Sequence, residues 1–302
     1  MRALVTGGSG FIGSNLVKYL ISKNVDVVVV DKNKCNLNCK SYTLDISNTY
    51  MFCDMLKEEK FDIIYHLAAN TNIRLGEKDS SIDFKDTFCT TYSVLELMKQ
   101  NNIKNLFFSS TSAVYGNKNC SLKENIGDLK PISYYGASKL ASENFISSYS
   151  YMNNFNSLIF RFPNVIGYGV SHGVIYDFVN KLKNNSKELE ILGDGNQTKQ
   201  YMDVSELVEA IYLFTKKIDV GVNIYNIGAE DSISVKNIAD IICDVFGYKD
   251  VLYKYSGGSV GWNGDVACFK FDLTKIHNKG WFSKCSSVDA VKNSVKYLKE
   301  NK

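Results

Sequence analysis

The stretch Thr6-Gly7-Gly8-Ser9-Gly10-Phe11-Ile12-Gly13 constrains this chain more than any other. It spells G-x-x-G-x-x-G. Residues 2 to 6 (RALVT) before it read as a buried strand. After it, Phe11, Ile12, Leu16, Tyr19 and Leu20 recur at helical spacing. A glycine loop alone is a weak signal, but between a strand and a helix each glycine has a task. Gly7 allows the tight turn, Gly10 lets the backbone approach a pyrophosphate, and Gly13 lets the helix pack on the strand. The phosphates then sit at a helix N-terminus, where free N–H groups and the helix dipole favour negative charge. Asp31 ends the next valine-rich run, about 20 residues further on. A carboxylate there accepts hydrogen bonds from ribose hydroxyls and repels a 2′-phosphate, which favours NAD over NADP. Lys32 follows and softens that preference; Asn33 is counted with the same ribose end.

Further along, strands and helices alternate. Strands are expected at 25–31, 42–46, 61–69, 105–109 and 157–161, and helices at 49–59, 81–101 and 133–151. This order predicts an α/β fold, a doubly wound parallel Rossmann sheet with right-handed crossovers. After Asn164 the pattern loosens into helices at 173–184, 205–216, 234–246 and 287–300 with short strands between. The expected organisation is a dinucleotide-binding domain over 1–164, with some later segments returning to it, and a smaller α/β substrate lobe over 165–302. No Pro/Gly/Ser-rich linker separates them, and the only prolines are Pro131 and Pro163.

Composition excludes several classes. The net charge is +3, spread along the chain, so nucleic acid and anionic lipid are not expected partners. No apolar run reaches the roughly 18 residues a membrane span needs. A strand and glycine loop occupy the place of a signal peptide, so a cytoplasmic location is expected. The eight cysteines are expected to be free thiols. Cys35 and Cys39 have no second Cys or His pair beside them, so no metal is expected.

Tyr135-Gly136-Ala137-Ser138-Lys139 sets a Tyr and a Lys at i and i+4, on one helix face. A free phenol, with a pKa of about 10, is a poor base at neutral pH. A nearby ammonium favours the phenolate, so Tyr135 is expected to act as general acid/base. Tyr134 has Ser138 at i+4 and lacks that support. The run from Ser109 to Gly116 (SSTSAVYG) follows the fifth strand, where ligands of such sheets bind. A hydroxyl there can bond the reacting oxygen and share its proton with Tyr135. Among the histidines, His66 reads as structural, His277 as surface, and His172 as a candidate sugar contact.

Together these motifs resemble the extended short-chain dehydrogenase/reductase family, within it the NAD-dependent nucleotide-sugar epimerases and dehydratases, UDP-glucose 4-epimerase-like proteins above all. The likeness runs through TGGSGFIGS, VVVVD, LDI, HLAA, SSTSAVYG, YYGASKLASE, RFPNVIG, GDGNQTKQYMDV and GWNGDV. It implies that Phe11 and Ile12 contact the pyrophosphate through the backbone, and that Asp45 and Ile46 flank the adenine. It implies that Leu67, Ala68 and Ala69 line the cofactor cleft, joined by Thr87, Ser109 and Pro163. The catalytic trio it implies is Thr111, Tyr135 and Lys139, with Tyr135 and Lys139 also touching NAD. The substrate set is Thr111, Ser112, Tyr135, Asn164, His172, Val174, Lys199 and Tyr201. A homodimer through helices near 85–100 and 135–150 is also implied.

Dehydratases and decarboxylases of this family usually place an acid after the catalytic Thr; here Ser112 and Ala113 follow. That favours epimerisation at C4 through a transient 4-keto sugar. A dehydratase or reductase of the same family, or a non-catalytic NAD-binding scaffold, are the alternatives. Two family arginines at the diphosphate are replaced: one segment reads Gln197-Thr198-Lys199-Gln200, and Ser259-Val260 precede Gly261-Trp262. Lys199 keeps a point charge without the bidentate fork.

Overall fold

A computed structural model describes residues 1–118, 120–258, 266 and 268–300. The replaced Ser259-Val260 and the adjoining Gly261-Trp262 lie outside them. The backbone contacts divide the chain into two units. The first comprises Met1–Gly116, Gly127–Arg161 and Val208–Tyr225; the second comprises Asn117–Ile126, Phe162–Leu207 and Asn226–Lys302. The units are interleaved along the chain, with Val208–Tyr225, beyond residue 164, in the first.

The first unit is built on a seven-stranded sheet. In chain order its elements are β1 (Arg2–Thr6), α1 (Phe11–Ser22), β2 (Asp26–Asp31), β3 (Lys40–Thr43), α2 (Thr49–Leu56), β4 (Ile63–His66), α3 (Ile73–Lys78), α4 (Ser80–Asp83), α5 (Thr90–Gln100), β5 (Asn105–Thr111), α6 (Tyr134–Asn153) and β6 (Asn156–Phe162). Across the sheet the strands run β3-β2-β1-β4-β5-β6, with Val222–Asn226 beyond β6. The pairs β1–β2, β1–β4, β2–β3 and β4–β5 are parallel. The order reverses between β1 and β4, the switch point at which such sheets bind ligands. Valine and isoleucine strands suit a sheet covered on both faces; all four residues of β4 and the last five of β2 are buried.

Two stretches differ from the sequence expectation. The third strand is Lys40–Thr43 rather than 42–46. Asp45 and Asn48 instead build the turn into α2, accepting from Ser47 N at 3.0 Å and Met51 N at 3.2 Å. The single helix expected over 81–101 is α4, then a π-helical turn Phe84–Cys89, then α5.

Among the described residues, the second unit has three two-stranded pieces. Asn164–Ile166 pairs with Tyr201–Asp203, Thr198–Lys199 with Ile233–Ser234, and Glu188–Ile191 with Leu252–Tyr255. Helices Val174–Asn184, Val235–Phe246 and Ser287–Glu300 pack a separate core with Ile166, Leu189 and Tyr201.

Candidate active site

The glycine loop adopts the geometry its spacing demands. Gly7 has φ +74°, and a Cβ there would lie 2.6 Å from Ala68 N and 2.8 Å from Leu67 C. Leu67 and Ala68, expected in the cofactor cleft, are therefore pressed against the loop itself, with half-buried Ala69 next in line. Gly10 N donates to Gly7 O at 3.1 Å and caps α1 without a side chain. The first-turn amides of Phe11, Ile12 and Gly13 thus meet no side-chain acceptor from their own cap, as an anion site needs.

Asp31 is 8% exposed at the end of β2. Its Oδ2 accepts from Ser9 N at 2.9 Å and its Oδ1 from Asn33 N at 2.8 Å. One carboxylate thus ties the glycine loop to the strand end, and each oxygen keeps a lone pair for a ribose hydroxyl. Lys32 Nζ lies 2.7 Å from Asp86. Asp45 takes Lys85 at 2.9 Å, and Ile46 is buried. Thr87 is fully buried; its hydroxyl accepts from Asn70 N at 3.1 Å, which makes it a brace of the π turn. An open glycine-lined turn, a helix start without a side-chain cap and Asp31 fit a dinucleotide.

The residues expected to be catalytic come from β5 and α6. Thr111 ends β5 and caps a short 3-10 turn, Ser112–Tyr115, accepting from Ala113 N at 3.2 Å. Ser133 caps α6, accepting from Gly136 N at 3.1 Å. A Cβ on Gly136 would lie 2.7 Å from Ala113 O, so glycine permits α6 to pack against that turn. The Thr111 hydroxyl consequently hydrogen-bonds the half-buried Tyr135 phenol. Lys139, 2% exposed, donates from Nζ to Ser109 O at 2.6 Å and lies 4.6 Å from the centre of the Phe108 ring. Ser109 Oγ donates to His66 O at 3.2 Å.

The electrostatics depart from the sequence expectation. Burial pushes the Tyr135 phenol up to about 12; the Thr111 hydrogen bond works the other way, and the Asp83 carboxyl adds to the rise. Burial pulls the Lys139 ammonium down to about 7, opposed by Glu143. Desolvation is the largest cause at both groups, since burial is costly to the phenolate and to the ammonium alike.

Sequence reasoning missed several groups. Glu143, a further turn along α6, accepts Ser110 Oγ and is paired by Arg161 at 3.0 and 2.6 Å. Its i+4 spacing from Lys139 was a usable signal. Asp83 is 1% exposed, receives Asn70 Nδ2 at 2.8 Å, and is held above the usual carboxyl range by burial.

The expected substrate residues of the second unit fall at one strand pair and its neighbours. Asn164 and Tyr201 are register partners, Asn164 N donates to Gln200 O at 3.3 Å, and Tyr201 is buried in the core. Lys199 pairs across to Ile233; exposed His172 and half-buried Val174 stand at the start of Val174–Asn184. Pro163 lies against Gly228, where a Cβ would be 3.1 Å from its ring. Among the described residues, no cluster of His, Cys, Asp and Glu could hold a metal, and no helix is long and apolar enough to cross a membrane.

The sequence profile of the NAD dependent epimerase/dehydratase family matches residues 3–228. The chain belongs to that family. A putative UDP-glucose 4-epimerase of Methanocaldococcus jannaschii is 30% identical over 310 residues, 99% of this chain and 98% of that protein. A human dTDP-D-glucose 4,6-dehydratase is 28% identical over 99% of this chain and 90% of its own length. The solved UDP-glucose 4-epimerase of Thermotoga maritima with UDP-glucose superposes with a TM-score of 0.89 at 28% identity, covering 100% of this chain and 99% of that one. This member of the family is therefore an enzyme of the NAD-dependent class that includes both nucleotide-sugar epimerases and dehydratases, with NAD as the family's cofactor.

Proposed function

We propose that the chain interconverts the C4 epimers of a nucleotide-diphosphate sugar of the UDP-glucose/UDP-galactose type. The observation that carries this reading is the Thr111–Tyr135 hydroxyl pair, with buried Lys139 one turn beyond Tyr135 on α6, and Ser112 and Ala113 after Thr111 offering no carboxylate. Dehydration needs a second acid for the carbons beyond C4; epimerisation needs only one proton shuttle. Bound NAD supplies a reversible hydride acceptor.

In this reading Tyr135 removes the C4 hydroxyl proton while Thr111 holds the same oxygen. Lys139, when protonated, stabilises the phenolate that does so. The 4-keto sugar turns over, and Tyr135 returns the proton to the alkoxide formed on the other face. The second unit is taken as the substrate lobe, with Asn164, His172, Val174 and Lys199 as its binding residues and the backbone at Tyr201 beside them. Pro163 is kept as a nicotinamide contact.

The same reading takes the chain as a homodimer. Phe84, Phe145 and Tyr92 are 58%, 41% and 38% exposed on the π turn, α6 and α5, and Phe88 stacks on Phe84 and meets Phe145 edge to face. Such an aromatic patch suits a partner copy, and sedimentation equilibrium, which reports the mass of the assembly, tests the dimer.

Incubation with UDP-, GDP-, CDP- and dTDP-hexoses tests the reaction. The expected product is a C4 epimer without net consumption of NAD. A 4-keto-6-deoxy product, or no epimer from any of them, overturns the proposal.

A further inference from the structure

Two lysines near the ribose end of the dinucleotide cradle are each held by an aspartate. Lys32 follows Asp31 directly and pairs with Asp86 at 2.7 Å; Lys85 pairs with Asp45 at 2.9 Å. Lys85 and Asp86 are neighbours on the π turn Phe84–Cys89, so the two pairs join that turn to the ends of β2 and β3. The turn is well braced. Thr90 Oγ1 donates to Asp86 O at 3.0 Å and to Thr87 O at 2.9 Å, Thr91 Oγ1 donates to Thr87 O at 2.8 Å, and the Thr87 hydroxyl holds Asn70 N. Asp86 is 22% exposed and Lys32 60%, so the acid is the fixed member and the lysine the mobile one.

A cation immediately after the ribose-binding acid is what a 2′-phosphate would use. We propose that Asp86 is a cofactor-specificity residue: by holding Lys32 it keeps that cation from a ribose 2′-phosphate, so that Asp31 alone sets the choice of NAD over NADP. Lys32 then weakens the preference for NAD only when its partner is lost. The inference rests on the family's NAD cradle. An exposed ion pair adds little to stability, so the fold tolerates its removal.

The test is calorimetric titration of dinucleotide-stripped full-length protein with NAD⁺ and NADP⁺. The proteins compared are wild type, Asp86→Asn, Lys32→Ala and the double variant; Asp86→Ser serves as a second probe of the same position. Asp86→Asn is expected to tighten NADP⁺ on the order of tenfold relative to NAD⁺, an effect that shrinks with added salt. Lys32→Ala alone should leave the ratio within about twofold, and in the double variant the gain should vanish. An unchanged ratio in both Asp86 variants overturns the proposal. So does a gain that survives in the double variant, because Asp86's own charge would then be responsible. So does a loss of NADP⁺ affinity in Lys32→Ala, because Lys32 would already be free. Failure of the wild type to bind NAD⁺ would instead overturn the cradle reading beneath it.

Discussion

Lys139 and Arg161 are both cations sealed in the first unit, each 2% exposed, yet they are held in opposite ways. Arg161 makes a two-pronged pair with Glu143 at 3.0 and 2.6 Å and lies 4.8 Å from the centre of the Tyr115 ring. Glu143 is in turn satisfied by the Ser110 hydroxyl. Lys139 has a backbone carbonyl at 2.6 Å, a hydroxyl at 3.5 Å and an aromatic face, but among the described residues no carboxylate in contact. The pairing holds the guanidinium above its ordinary pKa despite burial, whereas the ammonium is pulled down to about 7. A buried charge with a full partner set serves the fold. One left short of partners is costly to the fold, and in the proposed reaction its place is the proton shuttle of Tyr135 and Thr111.

The comparison breaks most easily at Arg161. Arg161→Met leaves Glu143 buried without its counter-charge, and the expected loss is about 3–5 kcal/mol in urea unfolding. The double change Glu143→Met with Arg161→Met should recover most of it, since paired charges can be exchanged for apolar side chains at little net cost. A loss below about 1 kcal/mol for Arg161→Met would mean that the pair is not structural.

Lys139→Met should do the reverse. Turnover is expected to fall on the order of 10²-fold or more, while stability at pH 7 stays within about 1 kcal/mol or rises, because an unpaired buried ammonium is removed. The pH dependence has a definite sign. With a folded pKa near 7 and an unfolded value near 10.5, the unfolded chain binds the extra proton between them. Wild-type stability should therefore rise relative to Lys139→Met as pH goes from 7 towards 10. A parallel course for the two proteins would show that Lys139 keeps its proton in the fold.

The contrast also explains what was legible in the sequence. Tyr135 and Lys139 stand at i and i+4 on one helix, and the glycine loop is contiguous, so both could be read from local spacing. Arg161 meets Glu143 only because β6 lies beside β5 under α6, and no local pattern reports that. The π turn was invisible for a related reason. Nothing local over 81–101 marks the π turn Phe84–Cys89, and the braces at Thr87, Thr90 and Thr91 are tertiary or a single turn long. In the second unit, strands of two residues such as Thr198–Lys199 and Ile233–Ser234 are too short to show alternation. Helices of eleven to fourteen residues there, Val174–Asn184, Val235–Phe246 and Ser287–Glu300, were plain from their stripes.

His66 sharpens the comparison from a third side, with the smallest expected effect. It is fully buried at the end of β4, and both ring nitrogens are occupied, Nδ1 by Thr6 Oγ1 at 2.7 Å and Nε2 by Thr91 Oγ1 at 3.1 Å. Its neighbours are hydroxyls rather than carboxylates. Burial therefore depresses its pKa to about 3, and the Lys139 charge contributes in the same direction. Below pH 6.5 the unfolded chain takes up a proton that the folded ring refuses, so stability falls as pH falls towards 3. Between pH 7 and pH 5 the His66 share of that loss is about 2 kcal/mol. It is read as the difference between wild type and His66→Gln in urea midpoints across the range. An identical slope in wild type and His66→Gln would mean that the ring is charged in the fold. The two hydroxyls would then be acting as acceptors from an imidazolium, and the division between paired structural charges and unpaired functional ones would fail at its simplest case.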